Sequence, residues 1–179
     1  MFTVNKTNTD GCFELIPRIF TDQRGVSIKP FHKDAFEELG FESSFNEDLI
    51  VTSGKYVVRG LHFQYPPFQQ IKLVFCISGS MFDVAVDIRR NSPTYGNHTS
   101  LVIDAAKHNM IYIPAGFAHG YQALEDNTTV AYKISTIYSP NNEGGIRWDS
   151  MNISWPFEKA LLSEKDKNWP GFKSFKSEF

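Results

Sequence analysis

The sequence predicts an all-β protein, a double-sheet jelly roll or barrel with a few short helices. Short runs of β-branched and aromatic residues recur along most of the chain, spaced by turns, and helix signals are scarce. The aromatic load points the same way. There are 16 Phe, and aromatics make up 15% of the chain, a content that suits half-buried sheet faces and flat pockets.

The elements follow in chain order. Asp34 to Leu39 predicts a short helix, with Asp34 as N-cap and Gly40 as stop. Strands are predicted at Leu49 to Ser53 and at Tyr56 to Gln64. Ile71 to Ile77 and Met81 to Ile88 flank Ser78-Gly79-Ser80, which predicts a hairpin with a Gly-containing turn. Further strands are expected at Ser100 to Ile103, Asn109 to Ile113, Gly120 to Leu124 and Thr129 to Thr136. Ala160 to Lys167 is expected to close the chain's regular structure with a second short helix.

No repeat, low-complexity block or long linker interrupts this pattern, so residues 1–179 are expected to form one domain. The net charge of −2 builds in no broad attraction to nucleic acid or to an anionic membrane. An anionic ligand would have to be held by a few placed cations. Cys12 and Cys76 match no metal or redox spacing and read as small buried hydrophobes in a reducing compartment. No apolar run approaches membrane-spanning length and no signal-like stretch opens the chain, which predicts a cytoplasmic protein.

Three clusters carry candidate chemistry. In Arg59-Gly60-Leu61-His62-Phe63-Gln64, a His at the end of an apolar strand is more often a packing residue than a catalyst, but Arg59 shifts that balance. At odd spacing Arg59 and His62 fall on opposite faces of a regular strand, so a bend at Gly60 is needed to bring them together. In Pro114-Ala115-Gly116-Phe117-Ala118-His119-Gly120 the imidazole is placed by a tight turn. A metal site would pair such a His with an upstream His-x-His and a Glu. Here the upstream motif is His62-Phe63-Gln64, and Gln replaces a ligand poorly, so no metal is expected. His32, His98 and His108 lack ligand spacing and are expected to be solvated. The third cluster is Tyr132-Lys133, Tyr138 and Gly145-Ile146-Arg147-Trp148-Asp149, followed by Ser163-Glu164-Lys165-Asp166, which alone would pass for a solvated charge run.

Together these clusters resemble the RmlC family of dTDP-4-dehydrorhamnose 3,5-epimerases. The shared pieces also include Phe20-x-Asp22-x-Arg24-Gly25, Lys72-Leu73-Val74 and Phe82-Asp83-Val84-Ala85-Val86-Asp87, in the family's order and spacing. The resemblance implies a cupin-type jelly roll without metal or other cofactor, acting on a nucleotide-diphosphate sugar. It also implies a homodimer in which N-terminal strands cross to the partner. A ketone at C4 acidifies the hydrogens on C3 and C5, so a base can leave an enolate and a proton returned to the opposite face inverts the carbon. By the resemblance His62 is the base, oriented by Asp166, Tyr132 is the acid, and Lys72 stabilises charge on the C4 oxygen. Arg24, Arg59 and His119 would grip the diphosphate, Phe20 would stack on the nucleobase, and Tyr138 would orient the sugar.

The chain departs from the family in the expected base pocket. Lys29 stands where a Glu is common and Glu47 where a Gln is common, while Leu49-Ile50-Val51 replaces a polar stretch. Either Lys29 and Glu47 pair with each other, or they read a different base, such as cytosine or guanine. Tyr121, in a position usually held by Phe and near the sugar, is a further departure. The alternatives to 3,5-epimerisation of a dTDP sugar are therefore a CDP- or GDP-linked substrate, inversion at one carbon, a 3,4-ketoisomerase, or a sugar-binding protein without activity.

Overall fold

A computed structural model describes residues 1–179. Thirteen strands and two short α-helices follow one another along the chain. The N-terminal part holds β1 (Phe2–Lys6), β2 (Phe13–Pro17), β3 (Ile19–Asp22), β4 (Gly25–Ile28) and α1 (Lys33–Glu38). The central strands are β5 (Glu47–Ser53), β6 (Val58–Gln64), β7 (Lys72–Ser78), β8 (Ser80–Asp87) and β9 (His98–Asp104). After them come β10 (Met110–Ile113), β11 (Phe117–Ala123), β12 (Thr128–Ile134), β13 (Glu143–Gly145) and α2 (Glu164–Lys167). Antiparallel pairing arranges them as a six-stranded sheet, β1-β2-β10-β7-β12-β5, and a five-stranded sheet, β13-β6-β11-β8-β9. The pair β3-β4 forms a separate ribbon whose strands hydrogen-bond only to each other.

The predicted all-β jelly roll is therefore present, and the strands expected from Leu49 to Thr136 match β5 to β12 within a few residues. The expected hairpin between β7 and β8 is not. β7 pairs with β10 and β12, whereas β8 pairs with β9 and β11 in the other sheet. Gly79 at φ +69° is the point where the chain crosses between sheets, and a Cβ there would meet Thr128 Oγ1 at 2.7 Å. A Gly turn between two apolar runs looks the same in either case. Only the competing long-range partners decide which strand each run pairs with.

Three apolar layers explain the aromatic content. The inner faces of both sheets meet in a core that includes Val74, Met81, Ala85, Ile111, Phe117 and Val130. The outer face of the six-stranded sheet is covered by Phe36 of α1 with Phe31, Phe41 and Phe45 around it. The outer face of the five-stranded sheet is covered by the C-terminal segment through Trp155, Phe172, Phe175 and Phe179. Edge-to-face contacts dominate these layers, the arrangement that ring quadrupoles favour.

Helix α1 corrects the expected cap. His32, not Asp34, is the N-cap, with its Nδ1 accepting from Ala35 N at 3.4 Å, and Asp34 lies in the first turn. His32 is thus half-buried and engaged, not solvated, and His98 and His108 are half-buried too. Beyond Glu38 the stop is as expected: Gly40 N–H donates to Glu37 O and Phe41 N–H to Phe36 O. Helix α2 occupies only the end of the predicted Ala160–Lys167 segment, capped by Ser163 Oγ, which accepts from Asp166 N at 3.1 Å.

The β6–β11 ladder contains the bend expected at Gly60. His62 faces His119 and Arg59 faces Tyr121, so three steps on β6 match two on β11. This bulge rotates Arg59 onto the face that carries His62. Gly60 lies at φ +130°, and a Cβ there would meet Gly120 Cα at 2.6 Å and His119 O at 2.8 Å. Gly60→Ala is therefore expected to lower stability by about 3 kcal/mol in denaturant unfolding, from backbone clash and strain together. Gly54→Ala, which meets only Asp126 Oδ1 at 3.4 Å, should stay within about 0.5 kcal/mol of the parent. Equal stabilities for the two variants would show that β6 and β11 can separate at little cost.

Candidate active site

Between the two sheets, at one end of the jelly roll, lies a cavity of about 470 Å³. Strand pairing fixes its six-stranded wall as cross-strand rows. Lys72, Ile134 and Glu47 form one row, Val74, Tyr132 and Leu49 the next, and Cys76, Val130 and Val51 the third. Arg59 and His62 of β6 and His119 of β11 form the facing wall. Tyr138, Glu143, Lys165 and Asp166 complete the rim.

His62 is partly exposed, and its Nε2 lies 2.5 Å from Asp166 Oδ1. The Asp166 side chain is only 5% exposed. Burial alone would raise its pKa, but the His62 imidazole, Ser163 and the Gly60 backbone N–H outweigh that and hold it below the usual carboxylate range. The pair joins residues 104 apart in sequence, and α2 aims the carboxylate inward while Glu164 and Lys167 pair on the surface. The Ser163–Asp166 run is thus only partly a solvated one.

Tyr132 stands on the opposite wall, 9% exposed, with its hydroxyl free of any hydrogen bond within the chain. Burial raises its pKa well above the phenol's ordinary value, so it stays protonated. Lys133, next in sequence, faces outward and pairs with Asp48 at 2.9 Å. Lys72 is 8% exposed and forms no ion pair. Burial lowers its pKa to about 8, against the opposing pull of the Asp83 and Glu143 charges.

His119 lines the cavity but is engaged from behind, with Nε2 2.8 Å from Oδ2 of the fully buried Asp83. Burial pulls its pKa down despite that carboxylate. A neutral His119 that gives its Nε2–H to Asp83 offers Nδ1 as an acceptor, so holding a phosphate oxygen would require the ring to be protonated. Glu47 accepts from the Tyr138 backbone N–H at 2.8 Å, and the Tyr138 hydroxyl donates to Glu143 Oε2 at 2.5 Å. Lys165 also pairs with Glu143. Burial would raise the Glu143 pKa, but Lys165 and Tyr138 more than reverse it.

Other expected residues are not brought together. Phe20 and Arg24 sit on the β3-β4 ribbon, where Arg24 is 85% exposed and pairs with Asp22. Lys29, just after β4, is exposed and has no acidic partner, so the pairing of Lys29 with Glu47 does not form within the chain. The ribbon pairs with no strand of either sheet, and Glu47 is occupied by the Tyr138 segment. Tyr121 is fully buried beneath the cavity and does not line it.

Sequence reasoning missed Glu143, Lys165, Asp83 and Ser53. Asp83 and Lys165 lie inside quoted motifs and Glu143 lies two residues before Gly145-Ile146-Arg147-Trp148-Asp149, which is the signal they offer; Ser53 needs tertiary contacts to be found. It also undervalued Gln64. The buried Gln64 amide donates to Phe68 O and Ile137 O, and its oxygen accepts from Ser139 N at 2.6 Å, which clamps the segment that carries Tyr138.

Known proteins are similar to this chain in sequence and in fold. Residues 6–174 match the model of the dTDP-4-dehydrorhamnose 3,5-epimerase family. The chain is 42% identical over 173 residues to the dTDP-4-dehydrorhamnose 3,5-epimerase of Methanothermobacter thermautotrophicus, covering 94% of this chain and 93% of that one. The solved Bacillus anthracis enzyme of the same name, with TDP and pyrophosphate bound, superimposes with a TM-score of 0.93 at 36% identity, over 96% of this chain and 99% of that one. RmlC of Legionella pneumophila, in complex with dTDP-4-keto-L-rhamnose, gives a TM-score of 0.94 at 34% identity, over 98% and 95% of the two chains. With its jelly roll, its cavity between the sheets and these relatives, the chain belongs to the dTDP-4-dehydrorhamnose 3,5-epimerase family.

Proposed function

We propose that the chain inverts C3 and C5 of dTDP-4-dehydro-6-deoxyglucose through enolate intermediates. One observation carries this reading: His62 and Tyr132 project from opposite sheets into one cavity. A sugar ring held between them meets a base on one face and a proton donor on the other, which inversion requires. The ketone is the electron sink, so the chemistry calls for no cofactor.

Each group has a state suited to its role. Asp166 remains ionised, orients His62 and stabilises the imidazolium formed when a proton leaves C3 or C5. Lys72, a nearly dry cation without an ion-pair partner, suits the negative charge that develops on the C4 oxygen. Tyr132 keeps its proton until the enolate takes it. Arg59 is the placed cation for the diphosphate, and Tyr138, held by Glu47 and Glu143, fixes the sugar.

The two sheets share one core, which supports treating residues 1–179 as one domain. The exposed ribbon with Phe20 and Arg24 supports a homodimer in which the ribbon of one copy closes the nucleotide end of the other's cavity. Cys12 and Cys76, both buried and unpaired, fit a reducing cytoplasmic setting, and no helix is long and apolar enough to cross a membrane.

In deuterated water the wild type should place solvent deuterium at C3 and at C5 of the 4-keto sugar. Label at one carbon would reduce the activity to a single inversion, and label at neither would overturn the proposal. His62→Asn should abolish exchange at both carbons while dTDP still binds. Tyr132→Phe removes a hydroxyl with no partner in the chain, so the fold should persist. Exchange should continue in that variant while inverted product falls by roughly 10²–10⁴-fold; inversion at the wild-type rate would show that another group delivers the proton.

The Lys72 pKa sets a pH limit. In the free enzyme its side chain is a cation below about pH 8 and neutral above it, so kcat/KM should decline as pH rises through about 8. A kcat/KM that is flat to pH 10 would remove the Lys72 charge from the mechanism.

A further inference from the structure

Tyr121 bears a hydroxyl deep in the inner core, where a phenyl ring would fill almost the same space. The residue is fully buried, its oxygen lies 2.9 Å from Ser53 Oγ, and the Arg59 guanidinium beside them also acts on the phenol. Ser53, itself 4% exposed at the end of β5, also accepts from Nε of Arg59 at 3.1 Å. Tyr121 is the residue opposite Arg59 in the β6–β11 ladder, immediately past the bulge at Gly60. Three elements therefore meet in one short chain of hydrogen bonds, from β11 through β5 to β6. Burial pushes the Tyr121 phenol up, so its hydroxyl keeps a proton to share with Ser53.

The far end of that chain faces the cavity. Arg59 is exposed there, and its two terminal guanidinium nitrogens have no hydrogen-bond partner in the protein. A free arginine side chain loses much rotamer entropy when it grips a ligand, and fixing Nε in advance removes part of that loss. With Nε engaged from behind, the terminal nitrogens are presented together as a fork that matches two oxygens of a phosphate group.

We propose that Tyr121 is a positioning residue for nucleotide binding: through Ser53 it holds the Arg59 guanidinium in the orientation that receives the diphosphate. This rests on the reading of Arg59 as a diphosphate ligand. It assigns the unusual tyrosine to the anion end of the substrate, through a layer the substrate never touches.

Affinities for dTDP and for thymidine, measured by calorimetry or ligand-observed NMR, test it. Tyr121→Phe should weaken dTDP by about three- to tenfold, the effect of one lost hydrogen bond, and leave thymidine unchanged. KM for the nucleotide sugar should rise by a similar factor while kcat at saturation holds. Ser53→Ala should reproduce the loss of dTDP affinity, which guards against a repacked core in either variant alone. In an Arg59→Ala background, Tyr121→Phe should have no further effect on dTDP. Wild-type dTDP affinity in Tyr121→Phe, equal weakening of thymidine, or an undiminished effect without Arg59 would each overturn the positioning role. Arg59→Ala that binds dTDP as tightly as the wild type would instead remove Arg59 from the diphosphate, a separate failure.

Discussion

The close approach of β6 and β11 at Gly60 and Gly120 is the constraint on which the site depends. No side chain fits between the two backbones there, and the resulting bulge changes which residues of β6 face the cavity. Without it, Arg59 would point to the outer face with Leu61 and Phe63, into the layer covered by the C-terminal segment. With it, Arg59 and His62 share a wall, Tyr121 comes opposite Arg59, and the Gly60 N–H is directed at Asp166. One backbone irregularity thus places two side chains of the cavity and supports a third.

The cavity holds two imidazole–carboxylate pairs side by side, since His62 and His119 face each other across the ladder. Their surroundings separate them. His62 is partly open and its carboxylate reaches in from the C-terminal helix. Asp83 is fully buried behind His119, which meets the cavity with little exposed surface, and burial favours the neutral ring. The inner pair acts as fixed polarity under the floor, where the Asp83 charge also favours the protonated form of Lys72. Identical side-chain chemistry therefore yields one pair that is partly exposed and one that is buried.

Much of this was legible in the sequence. Strand runs from Leu49 to Thr136 carried enough alternation and turn chemistry to be placed within a few residues. The need for a bend at Gly60 followed from the odd spacing of Arg59 and His62 alone. What failed was pairing. The β7–β8 turn has the local composition of a hairpin, and only the global sheet order shows that its strands lie in opposing layers. The N-terminal strands were not located individually: Phe2–Lys6 alternates, but over only five residues and with neither apolar side chain fully buried. Polar supports were the least visible. Ser53, Asp83 and Glu143 acquire their roles from partners 36 or more positions away, or across a rim of several segments, and one-dimensional spacing does not register such contacts.

The crossing at Gly79 also bears on how the chain reaches this structure. Because β7 and β8 part there, β7 must wait for β10 and β12, and β8, though it pairs with the next strand β9, must wait for β11. Elsewhere β2 joins β10, β5 joins β12, and β6 joins β11 and later β13. Little of either sheet can close from neighbouring segments, so the contact order is high and assembly belongs to the slow class of β topologies. On the ribosome, the six-stranded layer lacks β12, the strand between β7 and β5, until Ile134 has emerged, and the five-stranded layer lacks its edge until Gly145. Until then the apolar run of β5 is without a native partner and β7 has only β10, and this interval is when the nascent chain is most exposed to aggregation.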